Sequence, residues 1–127
     1  MNLEPLEEAV LKKLLDGNHP VLEALRQQLP AVSVKAREST GAGFYTEFSI
    51  AEGARAAPLQ SGKLLFGDVE ATIDGLKYGA GFVLYVERGL LHMLEGYSYE
   101  EPWPEHVIGF TLRYGDPERK TILSKLG

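Results

Sequence analysis

An α+β fold, with an N-terminal helical hairpin packed on a curved, mostly antiparallel sheet of five to seven strands, is what this sequence predicts. Three observations point there. Apolar residues recur at helical spacing up to Pro30, the period changes to two immediately afterwards, and turn signals then separate the alternating segments. At 127 residues the chain fits one domain, with 1–30 helical and 31–127 forming the sheet.

The first helix rests on Leu6, Val10, Leu11, Leu14 and Leu15, with Pro5 suited to a first turn and Gly17 to a stop. Asn18 then offers a cap and Pro20 a second first turn, and Val21, Leu22, Leu25 and Leu29 keep the 3.6-residue period until Pro30. In Ala31–Glu38, Val32, Val34 and Ala36 share one side. Phe44, Thr46, Phe48 and Ile50 repeat the pattern, and segment 39–43 joins the two as a hairpin. A polar loop from Glu52 to Gly62 leads to a third strand in which Leu65, Gly67, Val69, Ala71 and Ile73 face inward, ended by a turn at Asp74-Gly75.

Phe82 to Glu87 is more continuously apolar, the mark of a central strand. Arg88-Gly89 reads as a tight turn that makes Leu90–Leu94 a returning strand in preference to a helical turn. His106–Tyr114 is the next strand, and Lys120–Leu126 fits either a last strand or a short helix. Gly41-Ala42-Gly43-Phe44 recurs as Gly79-Ala80-Gly81-Phe82, each time before a strand. Two bent, glycine-rich strand entries explain the match more simply than duplication.

Leu94 to Glu105 gathers the only Trp, two Tyr, two Pro and four Glu. Such a density of rings and prolines predicts an ordered loop. The charge pattern concentrates here too. Between Asp68 and His106 eight acids face two bases, a net of −6, against +1 for the rest of the chain. That balance repels phosphate backbones and argues against nucleic-acid binding, while attracting a basic partner.

No apolar run approaches the ~18 residues of a membrane span, and the N-terminus lacks the basic and apolar regions of a secretory signal. The absence of cysteine rules out disulfides, thiolate catalysis and zinc-thiolate sites, and cytoplasm is the expected compartment. His92 and Glu95 form a His-x-x-Glu that would need a third metal ligand such as His106 or Glu101. Glu95, Glu100, Glu101 and Glu105 could supply a carboxylate pair only if one acid were desolvated. Neither arrangement carries a catalytic motif, and no cofactor is expected.

The runs Gly79–Gly89, Met93–Tyr99 and Glu101–Glu105 together resemble a group of small bacterial proteins to which no activity is attached. The resemblance covers mainly 41–105 and implies a bacterial protein whose aromatic and acidic segment is a shared feature. In size and charge the chain is also similar to immunity proteins that neutralise basic nucleases. The functional reading is a non-enzymatic binding module. Tyr97, Tyr99 and Trp103 would anchor a basic protein, and Asp68, Glu70, Glu87, Glu100 and Glu101 would contact or steer it. The alternative is a small-molecule site or enzyme pocket between helices and sheet, lined by Phe44, Phe48, Phe66 and Phe82. An unpaired sheet edge would also offer a second copy a template for a homodimer.

Overall fold

The computed structural model describes residues 2–126. Two helices, α1 (Pro5–Leu14) and α2 (Pro20–Gln28), precede a single 3-10 turn at Leu29–Ala31 and seven strands. These are β1 (Val32–Ser39), β2 (Gly43–Ile50), β3 (Leu64–Phe66), β4 (Val69–Ile73), β5 (Ala80–Glu87), β6 (Leu90–Ser98) and β7 (Phe110–Tyr114), with a closing helix α3 (Lys120–Leu126). All pairings are antiparallel, in the order β1-β2-β6-β5-β4-β7, and β3 shares with β4 the same edge of β5. The fold is therefore α+β.

Both helices begin where proline at N1 loses no hydrogen bond. The cap of α2 is His19 rather than Asn18: its Nδ1 accepts from the Val21 N–H at 3.1 Å. Leu6, Val10, Leu11 and Leu14 of α1 and Val21, Leu22 and Leu25 of α2 are buried in one cluster with Phe48, Phe66, Val69, Ala71, Ile73, Phe82, Leu84, Val86, Leu91 and Leu94. Gln28 is the buried polar exception, and it is satisfied. Its amide donates to the carbonyls of Arg55 and Gly89, at 2.9 and 2.8 Å, and its oxygen accepts from Leu91 N–H at 2.9 Å, tying α2 to the β5–β6 turn. That turn is the two-residue connection the sequence suggested, with φ of 55° at Arg88 and 73° at Gly89. The segment after it is strand, and Lys120–Leu126 resolves as helix.

Four expectations need correction. Ala36 does not share the inward side of Val32 and Val34: a bulge at Lys35 shifts the register, so Ala36 lies opposite Glu47 and is exposed, while Arg37 turns inward to the buried Glu7. The inward set of the third segment changes phase: Leu64 and Phe66 are buried, Leu65 is exposed, and inward burial resumes at Val69, Ala71 and Ile73. The cause is a break at Gly67-Asp68, where the backbone lies so close to the Phe82 carbonyl that a Cβ on Gly67 would collide with it. The strand placed at His106–Tyr114 begins only at Phe110, because β4 ends at Ile73 and pairs residue for residue with Phe110–Tyr114. The loop placed from Leu94 is strand as far as Ser98, since β6 pairs with β2 and β5 along that stretch.

The glycine repeat has a structural explanation. Gly43 and Gly81 both lie opposite Tyr97, and Phe44 and Phe82 both lie opposite Gly96. The Tyr97 ring occupies the space a Gly81 side chain would need, and the Phe44 ring the space above Gly96. Rings thus cover the missing side chains on β5 and β6, while on β2 a Cβ at Gly43 would collide with the Gly96 carbonyl.

Candidate functional site

Alternation leaves one sheet face in the core and the other accessible. In register across β2, β6 and β5, the accessible face carries Tyr45 opposite Glu95, Met93 opposite Tyr85, and Tyr97 between the two glycines. The Tyr85 hydroxyl donates to Glu95 Oε1 at 2.9 Å. Tyr97 meets Tyr99 edge to face, with ring centroids 5.7 Å apart. Beyond the strand end the surface continues to Tyr78, which is 62% exposed, and Tyr99, which is 44% exposed; with Ser98 and Glu100 they line a shallow depression. Glu100 holds a φ of 63°, a conformation uncommon outside glycine, and closes the turn after Tyr99.

Electrostatics follow this arrangement. Burial pushes the Tyr85 phenol up to about 12, with further contributions from its hydrogen bond to Glu95 and from that carboxylate's charge. The Glu95 charge is also the largest influence raising Tyr45, whereas Tyr97 is raised first by burial and then by Tyr99. A phenol raised above its ordinary value of 10.0 favours the folded state below that pH and loses the contribution as pH rises towards 12. Glu95→Gln should therefore lower the Tyr85 midpoint while leaving it above 10, since burial persists. An alkaline absorbance titration at the phenolate band, with Tyr85→Phe to assign the step, measures this directly.

The eight residues singled out from sequence divide. Tyr97, Tyr99 and Glu100 share the tyrosine surface. Trp103 does not belong to it: its ring packs on Phe44 at 5.4 Å and 70°, and its backbone N–H donates to the Gly41 carbonyl at 2.8 Å. Glu101 accepts from the N–H groups of Lys77 and Tyr78 at 2.9 and 3.0 Å, so its carboxylate is committed to holding the β4–β5 turn. Asp68 is enclosed beside Arg119, at 2.6 Å from its Nε, and Glu70 lies 3.5 Å from Arg113. Cations from the C-terminal segment thus offset two of the acids that the local count left unbalanced. Glu87 lies 3.7 Å from His92 at the far end of β5.

The other candidates also separate. His92 occupies the bulge between Leu91 and Met93, while Glu95 turns to Tyr85. Among the described residues no three potential ligands gather into a metal site. Phe48, Phe66 and Phe82 are core, and the four do not line one pocket: Phe44 borders an opening beside Trp103 and Phe48 a different one beside His92. Tyr45, Tyr78 and Tyr85 were missed by sequence reasoning, and Glu95 was singled out only as a metal ligand or one of a carboxylate pair. Strict period-two reading of β2, β5 and β6 would have placed Tyr45, Tyr85 and Glu95 on one face. Tyr78 lies in a turn, where periodicity says nothing.

No protein family, curated protein or solved structure matches this chain. Among the described residues no helix is long and apolar enough to cross a membrane.

Proposed function

We propose that this chain is a non-enzymatic protein-recognition module of a bacterial cytoplasm that presents its tyrosine-lined sheet face to a basic protein partner, as an immunity protein does to a nuclease. One observation carries the reading: Tyr78 and Tyr99 stand exposed at the end of a face already lined by Tyr45, Tyr85 and Tyr97. Tyrosine supplies large contact area for little conformational entropy, and interface hot spots are enriched in it. Glu95 at the centre and Glu100 at the rim give that surface its acidic character and favour a partner rich in Lys and Arg. On the same reading the two N-terminal helices form a hairpin across a curved sheet, and their shared leucine core supports it.

Immobilised wild-type chain should retain from its bacterial host a protein with excess Lys and Arg. Tyr99→Ala should accelerate its dissociation about 10–30-fold. Glu100→Lys should slow association at low salt and flatten its salt dependence. Glu100 suits this reversal better than Glu101, which the β4–β5 turn requires. A partner retained equally by the Tyr99→Ala chain, or association indifferent to the charge reversal, would refute the proposal.

A further inference from the structure

The strand order leaves β1 and β7 outermost, and the short β3 adds a further open flank beside β5. Unpaired strand backbone is a template for another strand, and soluble proteins guard it with bulges, charged side chains or a covering element. Both β1 and β3 are guarded. β1 carries the bulge at Lys35, followed by Arg37 and Glu38. On β3 the Leu65 carbonyl accepts from Lys125 Nζ of α3 at 2.9 Å.

β7 has none of these devices. It pairs with β4 residue for residue over Phe110–Tyr114, without a bulge or a proline. The ends of the ladder fix its alternation: the Asp74 N–H donates to the Gly109 carbonyl and the Gly115 N–H to the Asp68 carbonyl, each at 3.0 Å. Thr111 and Arg113 therefore exchange hydrogen bonds with β4, and the backbone N–H and C=O groups of Phe110, Leu112 and Tyr114 point out of the sheet. Among the described residues no hydrogen bond reaches those groups. The three side chains pack on the core yet are only partly buried, and Ile108, two residues ahead of the strand, is 87% exposed.

The strand is also complementary to itself. Two copies of β7 set antiparallel about a two-fold axis at Leu112 bring Phe110 opposite Tyr114 and Leu112 opposite Leu112, so the outward backbone groups of one copy meet those of the other in hydrogen-bonded pairs. Thr111 then falls opposite Arg113 in the closer, non-hydrogen-bonded pairs, and no like charges stand face to face. The bulge denies β1 any such continuous register.

We infer that a second copy of this chain pairs through β7, joining the two sheets into one across the two-fold axis. This edge is separate from the tyrosine face and does not rest on the function proposed for that face.

Sedimentation equilibrium of the full chain should show monomer and dimer exchanging with concentration. Thr111 is exposed, so changing it leaves the core intact, and the thermal melt of each Thr111 variant should match that of the wild-type monomer. Thr111→Lys should weaken the dimer about tenfold at low salt by setting lysine against Arg113 twice, and Thr111→Glu should tighten it about threefold. Net charge predicts the opposite order, since a chain at −5 repels its own copies less when a positive charge is added. The direction of the two effects thus separates strand pairing from unspecific association. Hydrogen exchange gives an independent reading. The amides of Phe110, Leu112 and Tyr114 should gain protection as concentration rises, while those of Thr111 and Arg113 are protected throughout. Tyr99→Ala should leave dimerisation unchanged, which separates failure here from failure of the protein-recognition reading. A chain that stays monomeric up to about 1 mM, a Thr111→Lys variant that dimerises as well as wild type, a dimer weakened by Tyr99→Ala, or concentration-dependent protection that falls on β1 would overturn the inference.

Discussion

Phe82→Ala should destabilise the protein by about 3–5 kcal/mol, read as a lower midpoint with unchanged slope in urea unfolding. The ring is fully buried and sits on β5, which pairs with β6 on one side and with β3 and β4 on the other. It lies opposite Gly96, where the Phe44 ring from β2 fills the space a side chain would need, so no Gly96 side chain stands ready to fill the gap left by the Phe82 ring. Close-packed neighbours collapse only partly around such a vacancy. Against a typical total of roughly 5–15 kcal/mol, the loss would be a large fraction of the stability. A change below about 1 kcal/mol would mean that the three central strands do not depend on this packing.

Arg119→Met should cost about 3 kcal/mol, for a different reason. Arg119 pairs with Asp68 through Nε at 2.6 Å and Nη2 at 3.0 Å, lies over the Tyr114 ring at 4.2 Å, and donates to the carbonyls of Leu14 and Asp16 at 2.9 and 2.5 Å. Those carbonyls belong to the end of α1, which has no further helical N–H groups to satisfy them. Methionine keeps much of the stem volume but leaves an enclosed carboxylate without its partner, which is the expensive way to break a buried pair. Adding Asp68→Asn to the variant should recover part of the loss, and the double-mutant cycle isolates the pair's own coupling. Strict additivity of the two changes would show that the ion pair contributes nothing beyond its separate contacts.

The same two residues show what a sequence reading can and cannot reach. Leucine spacing in the first 30 residues, alternation in β2 and the near-continuous apolar run of β5 were legible because hydrophobic pattern reports directly which side is buried, whereas the alternation of β1 fails beyond Val34, where a bulge shifts the register. Arg88-Gly89 was legible because that turn needs two residues at positive φ. Asp68 and Arg119 were not, since an ion pair joining residues 51 positions apart leaves no local pattern. The phase change at Gly67 escaped for a related reason: the intruding atom is the backbone carbonyl of another strand. Of the site, Tyr97 and Tyr99 stood out by their density of rings. Tyr45 and Tyr85 come from two other strands, and only pairing brings them onto one face. Glu101 and Trp103 looked like surface groups because composition does not distinguish a free carboxylate from one that caps backbone N–H groups, or a free indole from one laid on a phenylalanine.

The paired Gly-Phe steps on β2 and β5, set against Gly96-Tyr97 on β6, amount to a combination lock on strand alignment. Sliding either neighbour by one residue one way would set phenylalanine against tyrosine and force rings together; sliding it the other way would set glycine against glycine and leave empty space. Alignment of the central sheet is then dictated by side-chain shape, and the length of the intervening chain has little say in it. Segment 51–63 can consequently lengthen at small entropic cost without misaligning β2 and β6, which leaves evolution, or an engineer, free to graft new sequence there.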